Sequence, residues 1–179
     1  MNTNKTKIAV AGIGTVGKGL LDLIKKYVVK RNHMEITAIA SRRKYIFKDK
    51  IFKNTKVFRD AKDLIKFDDY DILVELIGGE SGISKQIIFN ALRKKKSVVT
   101  ANKALVSKHF KELQALSLQN KVDIRFEAAV AGGIPIIKVI NEFLVSNQIK
   151  KIYGILNGTS NFILSNMLNS NEEFEKILQ

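Results

Sequence analysis

Short apolar runs alternate with amphipathic segments along most of the chain. Lys7–Ala11 (KIAVA) and Glu35–Ala40 (EITAIA) are runs of the kind that forms buried parallel strands, and Leu20, Leu21, Leu23 and Ile24 recur between them at helical spacing. The pattern predicts further strands at 71–77, 97–100 and 123–128 and helices at 61–66, 84–95 and 106–120. This alternation predicts βαβ units, and therefore an α/β fold with a doubly wound parallel sheet and right-handed crossovers.

The pattern is weaker in two other places. The stretch 41–56 is basic and lacks periodicity, so we predict a loop there. Pro135 lies near the start of a further predicted helix, which runs to about Val145. After that helix we predict a strand at 150–156, a turn at 157–161 and the start of a helix at 162–168. We therefore expect one domain over residues 1–147 and the beginning of a second over 148–179.

The composition limits the class of protein. Hydrophobic residues make up 45% of the 179 residues and charged residues 27%, so the chain can bury a core. It contains no apolar run of about 18 residues, so we expect no membrane partner. No secretory signal precedes the first strand, and the absence of cysteine excludes disulfides, thiol catalysis and Cys-ligated metals. We therefore expect a cytoplasmic protein.

The formal net charge of +14 admits two interpretations. One is a nucleic-acid partner, because clustered cations bind phosphates. The other is a solvated lysine-rich surface. The chain has 25 lysines against six arginines, whereas surfaces that bind nucleic acid favour arginine. The densest basic run, 93–96, falls at a predicted helix end, where cations offset the helix dipole. We therefore predict no nucleic-acid partner.

A glycine motif connects the first predicted strand to the first predicted helix. It consists of Gly12, Ile13, Gly14, Thr15, Val16 and Gly17. In a dinucleotide-binding turn, Gly12 permits the tight turn, Gly14 lets the backbone approach a pyrophosphate, and Gly17 lets helix and strand pack closely. Amides at the helix N-terminus then bind the anion. We predict a cofactor-binding role for all six residues; the alternative is an ordinary connection between strand and helix.

The end of the second predicted strand bears on the choice of cofactor. An acidic residue usually stands there when the ligand is NAD, because it accepts hydrogen bonds from the ribose. Here the chain continues through Ser41, Arg42, Arg43 and Lys44 without a carboxylate. Arg42 and Arg43 suit a ribose 2′-phosphate, so the sequence favours NADP(H) over NAD(H). The alternative is a basic loop in a lysine-rich chain, and the choice between the cofactors stays open.

Three further stretches are more specific than the glycine motif. They are Val98–Leu105 (VVTANKAL), Glu127–Pro135 (EAAVAGGIP) and Gly154–Leu164 (GILNGTSNFIL). Together with GIGTVG they closely resemble homoserine dehydrogenase, in order and over nearly the whole chain. The resemblance implies a Rossmann-type domain followed by the start of an α+β catalytic and dimerisation domain. It also implies an oxidoreductase that interconverts L-aspartate 4-semialdehyde and L-homoserine with NAD(P)(H), on the route to threonine and methionine.

The resemblance assigns roles around the cofactor. It makes Lys103 the catalytic lysine beside nicotinamide and substrate, Gly78 and Gly79 a turn on the cofactor side, and Thr100 and Ala101 flanking residues. The residues alone support Lys103 as well, because it follows the carboxyl end of a predicted strand, where open α/β sheets bind ligands. The alternative for Lys103 is a solvated side chain.

The resemblance also implies a site for a monovalent cation, usually sodium. Its ligands would be Glu127, Val130, Gly132 and Ile134, through one carboxylate and three backbone carbonyls. Oxygen donors of this kind suit a hard cation. The alternative is that Glu127 caps the helix that follows, since anions are favoured at helix N-termini.

The last implications concern the substrate and the length of the chain. Thr159 matches the turn on the substrate side of the family, with a plain β-turn as the alternative. Family members continue well beyond residue 179, through the acidic residues that hold the substrate and most of the homodimer surface. We therefore expect activity to be impaired in this chain, and the alternative function is a catalytically inactive fragment that binds NADP(H).

Overall fold

The computed structural model describes residues 5–28, 33–42, 52–155, 158–170 and 173–177. The chain forms two units, Met1–Val130 and Ala131–Gln179. The boundary predicted after residue 147 lies within the second unit and stays a prediction about the domain limits.

The first unit is built on a six-stranded parallel sheet. Its strands are β1 (Thr6–Ala11), β2 (Met34–Ala40), β3 (Lys56–Phe58), β4 (Ile72–Glu75), β5 (Ser97–Thr100) and β6 (Ile124–Arg125). They lie in the order β3-β2-β1-β4-β5-β6, and every neighbouring pair is parallel. This is the order of a Rossmann sheet, so the predicted fold class is confirmed. The direction of winding reverses between β1 and β4, and ligands bind beyond the carboxyl ends of the strands at such a switch point.

Helical segments cover both faces of the sheet. They are α1 (Thr15–Leu23), which continues as a π-helical turn (Ile24–Val28), a 3₁₀ helix (Ala61–Ile65), α2 (Gly82–Arg93), α3 (Lys103–Asn120) and a second 3₁₀ turn (Glu127–Ala129). Leu21 of α1 belongs to one apolar cluster, whereas Leu92 of α2 and Leu113 of α3 belong to another. The helices therefore sit on opposite faces, as double winding requires.

Alternation along β1 explains why the sheet has two apolar faces. Ile8 and Val10 pack in the cluster on the α1 side, whereas Ala9 and Ala11 pack in the cluster on the α2 and α3 side. All four side chains are buried. Because successive side chains of a strand point to opposite faces, a continuous apolar run is what a strand covered on both sides needs.

The strand β3 corrects the loop predicted for 41–56, whose last residue, Lys56, begins this strand. Its three residues pair in parallel with Ala38, Ile39 and Ala40 of β2. Three residues are too few to show a hydrophobic period in the sequence. The strand forms because its backbone pairs with the edge of β2 that β1 leaves unpaired. Residues 43–51 of the predicted loop lie outside the described residues.

Helices are the only regular secondary structure among the described residues of the second unit. They are α4 (Ile136–Lys138) with a π-helical continuation (Val139–Phe143), α5 (Gly158–Ser170) and α6 (Phe174–Ile177). The strand predicted at 150–156 is wrong over 150–155, and residue 156 lies outside the described part. The turn predicted at 157–161 is wrong over 158–161, which form the first turn of α5. A strand needs a partner, and the described part of this unit offers none. No described helix is both long and apolar enough to span a bilayer.

Candidate cofactor site

A cavity of about 580 Å³ lies at the switch point of the sheet. Its walls are the glycine turn after β1, the end of β2, the segment that follows β3, the residues after β4 and one residue of α2. They comprise Gly12, Ile13, Gly14, Ala40, Ser41, Arg42, Arg59, Asp60, Ala61, Lys62, Leu76, Ile77 and Ile83. The structure therefore brings the start of the predicted glycine motif and Arg42 to one cavity.

The glycines of the motif are held in very close packing. Gly12 has a φ of +100°, and a Cβ there would lie 2.7 Å from the backbone oxygen of Leu76. A Cβ on Gly17 would lie 2.3 Å from the backbone oxygen of Gly12. Around Gly14, by contrast, no atom of the described residues lies within 4 Å of a Cβ position. The first and third glycines thus permit packing, and the second leaves open space beside the backbone.

The helix α1 presents its N-terminus at this open space. It begins at Thr15 with Gly14 as the N-cap, and no described side chain makes the capping hydrogen bond. Its first turn carries no acidic residue. The first N–H groups of a helix lack partners within the helix and carry a partial positive charge, so this end suits an anion such as a pyrophosphate. Thr15 and Val16 in this turn are exposed.

Three cations line the same cavity. Arg42 follows β2, Arg59 follows β3, and Lys62 lies in the 3₁₀ helix, whose N-cap Asp60 accepts a 2.9 Å hydrogen bond from the Lys62 amide. Arg59 and Lys62 were missed from the sequence because β3, which delivers them, was missed. The scarcity of arginine in the chain is the signal that could have drawn attention to Arg59. Arg43 lies outside the described residues.

The turns after β4 and β5 stand next to each other at the carboxyl edge. Gly78 and Gly79 both have a φ of +88°, a conformation that favours glycine, and both are exposed. Across from them, the Nδ2 atom of Asn102 donates a 2.7 Å hydrogen bond to the Gly79 oxygen. Thr100 is fully buried, whereas Ala101 is half-buried.

Lys103 is the first residue of α3, and its side chain is exposed. Asn102 caps this helix, because its Oδ1 atom accepts a 3.2 Å hydrogen bond from the Leu105 amide. This cap corrects the predicted helix start at Val106, since Asn is among the preferred N-cap residues. The cap fixes the start of α3, and it therefore places Lys103 beside the turn that contains Gly79.

A salt bridge makes a second link between the turn after β4 and α3. The Nζ atom of Lys108 lies 2.7 Å from Oε1 of Glu80. This ammonium group lowers the pKa of the Glu80 carboxyl through its hydrogen bond and its charge. Both side chains are about half exposed, so water screens the pair and its contribution to stability is small.

The remaining predicted site residues fall in short local structures. Glu127 begins the second 3₁₀ turn and Val130 directly follows this turn, both in the first unit. Gly132 and Ile134 belong to the second unit, as does Thr159, which is exposed in the first turn of α5. In the described part of the chain no three His, Asp or Glu side chains are grouped to hold a metal. The predicted cation ligands do not need such a group, because three of the four are carbonyls.

Comparison with known proteins gives consistent matches along the chain. The family model described as homoserine dehydrogenase, NAD binding domain, matches residues 12–127, and the model described as homoserine dehydrogenase matches residues 135–179. The homoserine dehydrogenase of Bacillus subtilis is 38% identical over 97% of this chain and 41% of its own length. That of Neisseria gonorrhoeae is 39% identical over 96% of this chain and 40% of its own.

A solved structure agrees with the sequence matches. The crystal structure of a homoserine dehydrogenase from Thiobacillus denitrificans superposes with a TM-score of 0.84 at 36% identity. The match covers 98% of this chain and 41% of that one. The chain therefore spans about 40% of the length of each of these three relatives.

The two packing environments of the glycine motif lead to opposite expectations for alanine. Gly17→Ala places a methyl group 2.3 Å from the Gly12 oxygen, so we expect it to lower the free energy of unfolding by about 1–3 kcal/mol. Gly14→Ala is the matched control, because its backbone is extended and its Cβ meets open space; we expect a change within about 0.5 kcal/mol. Urea unfolding followed by circular dichroism measures both. Equal destabilisation by the two substitutions would contradict this account.

Proposed function

The chain belongs to the homoserine dehydrogenase family, and we propose that it binds NADP(H) at the switch point of its sheet to reduce L-aspartate 4-semialdehyde reversibly to L-homoserine. The observation that carries the proposal is the cavity lined together by the glycine turn, Arg42 and Arg59, in which Gly14 is also the N-cap of α1. Because the chain spans about 40% of its relatives' length, the reaction is inferred from the family and from the cofactor half of the site.

The proposed seating of the cofactor follows the chemistry of the cavity. The pyrophosphate lies at Gly14 and the N-terminus of α1, where N–H groups and open space are available. The 2′-phosphate lies among Arg42, Arg59 and Lys62, whose positive charges favour NADP(H) over NAD(H). The nicotinamide end extends to the turns after β4 and β5, which contain Gly78, Gly79, Thr100, Ala101 and Lys103.

Lys103 is proposed to handle the proton of the reaction. Bound NADPH would supply the hydride to the aldehyde carbon. The carbonyl oxygen then gains negative charge, and an ammonium group beside it stabilises this charge and donates the proton. Lys103 suits this role because it is exposed at the carboxyl edge and fixed by the Asn102 cap. Thr159 is proposed to contact the substrate.

A monovalent cation such as sodium is proposed to bind the second 3₁₀ turn and the residues that follow it. The donors would be the carboxylate of Glu127 and the carbonyls of Val130, Gly132 and Ile134. This set is supported by its chemistry, since hard cations take oxygen ligands. The half-buried position of Glu127 is compatible with such a role.

Titration with NADPH tests the central proposal. We expect the chain to quench or shift NADPH fluorescence with a Kd between about 1 µM and 1 mM, the range usual for enzyme substrates. Gly14→Ala fills the space beside the turn, so we expect this variant to stay folded and to lose NADPH binding. A wild-type chain that binds neither NADPH nor NADH, or a Gly14→Ala variant that binds as well as wild type, would refute the proposed seating.

A comparison of NADPH with NADH tests the role of Arg59. Arg59→Gln removes a cation from the cavity, so we expect the Kd for NADPH to rise about 10-fold while the Kd for NADH changes less than about twofold. Arg125→Gln is the matched control, since Arg125 is exposed in β6 and does not line the cavity. Equal losses for both cofactors would argue against a 2′-phosphate at Arg59.

Turnover separates the dehydrogenase from a protein that only binds the cofactor. We expect oxidation of NADPH when aspartate 4-semialdehyde is added, and we expect Lys103→Gln to slow it about 100-fold or more with little change in the Kd for NADPH. The readout is NADPH absorbance, with a fluorescence titration of the same samples. Cofactor binding without turnover by the wild-type chain would instead support the second candidate, a catalytically inactive protein that binds NADP(H).

A further inference from the structure

Glu75 is a fully buried carboxyl group in the middle of the sheet. It is the last residue of β4, which lies between β1 and β5, and its exposed fraction is 0%. Burying a carboxyl group costs free energy unless hydrogen bonds replace those to water. An apolar residue would fill this place in the sheet without that cost, so the contacts of Glu75 indicate what the carboxyl group does here.

One oxygen of Glu75 shapes the turn that follows β4. Its Oε1 atom accepts hydrogen bonds from the amide of Ile77, at 2.8 Å, and from the amide of Gly78, at 3.0 Å. These amides belong to the turn whose two glycines have positive φ. Two hydrogen bonds to one buried acceptor hold this turn against the end of its own strand.

The other oxygen reaches the neighbouring strand. The hydroxyl of Thr100 donates a 2.6 Å hydrogen bond to Oε2 of Glu75, and the same hydroxyl accepts a 3.0 Å hydrogen bond from the amide of Asn102. Asn102 in turn donates through Nδ2 to the Gly79 oxygen at 2.7 Å and to Oγ of Ser84 at 2.9 Å. The contacts thus form a closed ring that joins the turn after β4 to the turn after β5.

The ring lies directly beside the proposed catalytic lysine. Asn102 both completes the ring and caps α3, and Lys103 is the next residue. From the ring and this position we infer that Glu75 is a positioning residue, which holds the Gly78 turn and Lys103 at a fixed separation for the nicotinamide end of the cofactor. The inference rests on the proposed function, because it assumes that a dinucleotide lies across this edge.

The chemistry of glutamine makes Glu75→Gln the informative change. Glutamine has the same size but one acceptor oxygen, so it cannot accept from the amides of Ile77 and Gly78 and from the hydroxyl of Thr100 at the same time. When its oxygen serves the two amides, its NH2 group can only donate to the Thr100 oxygen, so the present 2.6 Å hydrogen bond is reversed and lengthened and the geometry of the ring changes. Arg42 and Arg59 line the cavity and make none of the hydrogen bonds described for these residues, so the part of the wall that they form should keep its shape.

The experiment compares two ligands on the full chain. NADPH carries the nicotinamide, whereas 2′-phospho-ADP-ribose keeps the adenosine, pyrophosphate and 2′-phosphate and lacks it. We expect Glu75→Gln to raise the Kd for NADPH about 10-fold and the Kd for the fragment less than about twofold. Thr37→Val is the control matched to the Thr100→Val variant described next, because Thr37 is a buried threonine of β2 that donates to the Ile8 oxygen away from this edge. It should change neither Kd.

Thr100→Val supplies a second variant, in case Glu75→Gln does not fold. It removes the bridging hydroxyl at nearly constant volume, and we expect the same selective loss of NADPH affinity. Equal losses for both ligands, or no loss for either, would overturn the inference and leave the proposed function intact. Failure of the wild-type chain to bind either ligand would be a different result, which removes the proposed function and the inference together.

Discussion

At Gly12, the end of β1 packs closely against the start of α1 and the residues that follow β4. A Cβ there would lie 2.7 Å from the Leu76 oxygen, and the Gly12 carbonyl faces a Gly17 that has no room for a side chain. This contact lets the first turn of α1 sit directly over the switch point. The direction of the helix N-terminus, the open space at Gly14 and the wall of the cavity all follow from it, because a longer side chain would move α1 away from the sheet.

The sequence predicted the parts of the fold that are long, apolar and local. Apolar runs predicted the first two strands, and helical spacing of leucines predicted α1. The glycine motif predicted the turn between β1 and α1. The strand β3 escaped, since three residues carry no period and its hydrogen bonds come from β2. Ile152 and Tyr153 illustrate the opposite error: side chains that favour strands predicted one, but the described part of their unit provides no partner.

The glycine turn that lines the cavity was predictable from the sequence, the role of Lys103 stays a prediction, and the supporting residues were much less predictable. Glu75 was treated as one more residue of a strand, although glutamate is almost never fully buried without partners. That rule was the available signal. Its partners could not be predicted, because the amides of Ile77 and Gly78 turn back on the strand and Thr100 comes from a different one. Distant residues meet only once the sheet has formed.

The two ends of the proposed cofactor site are built from different elements, and this separation has a practical consequence for protein engineering. Arg42 and Arg59 follow β2 and β3, whereas Glu75, Thr100 and Asn102 belong to β4, β5 and the start of α3. The two sets share no hydrogen bond among those described. Substitutions without shared partners usually act additively. Under the proposed function, Arg42 and Arg59 can therefore be exchanged to alter coenzyme preference as a module separate from the residues around Glu75.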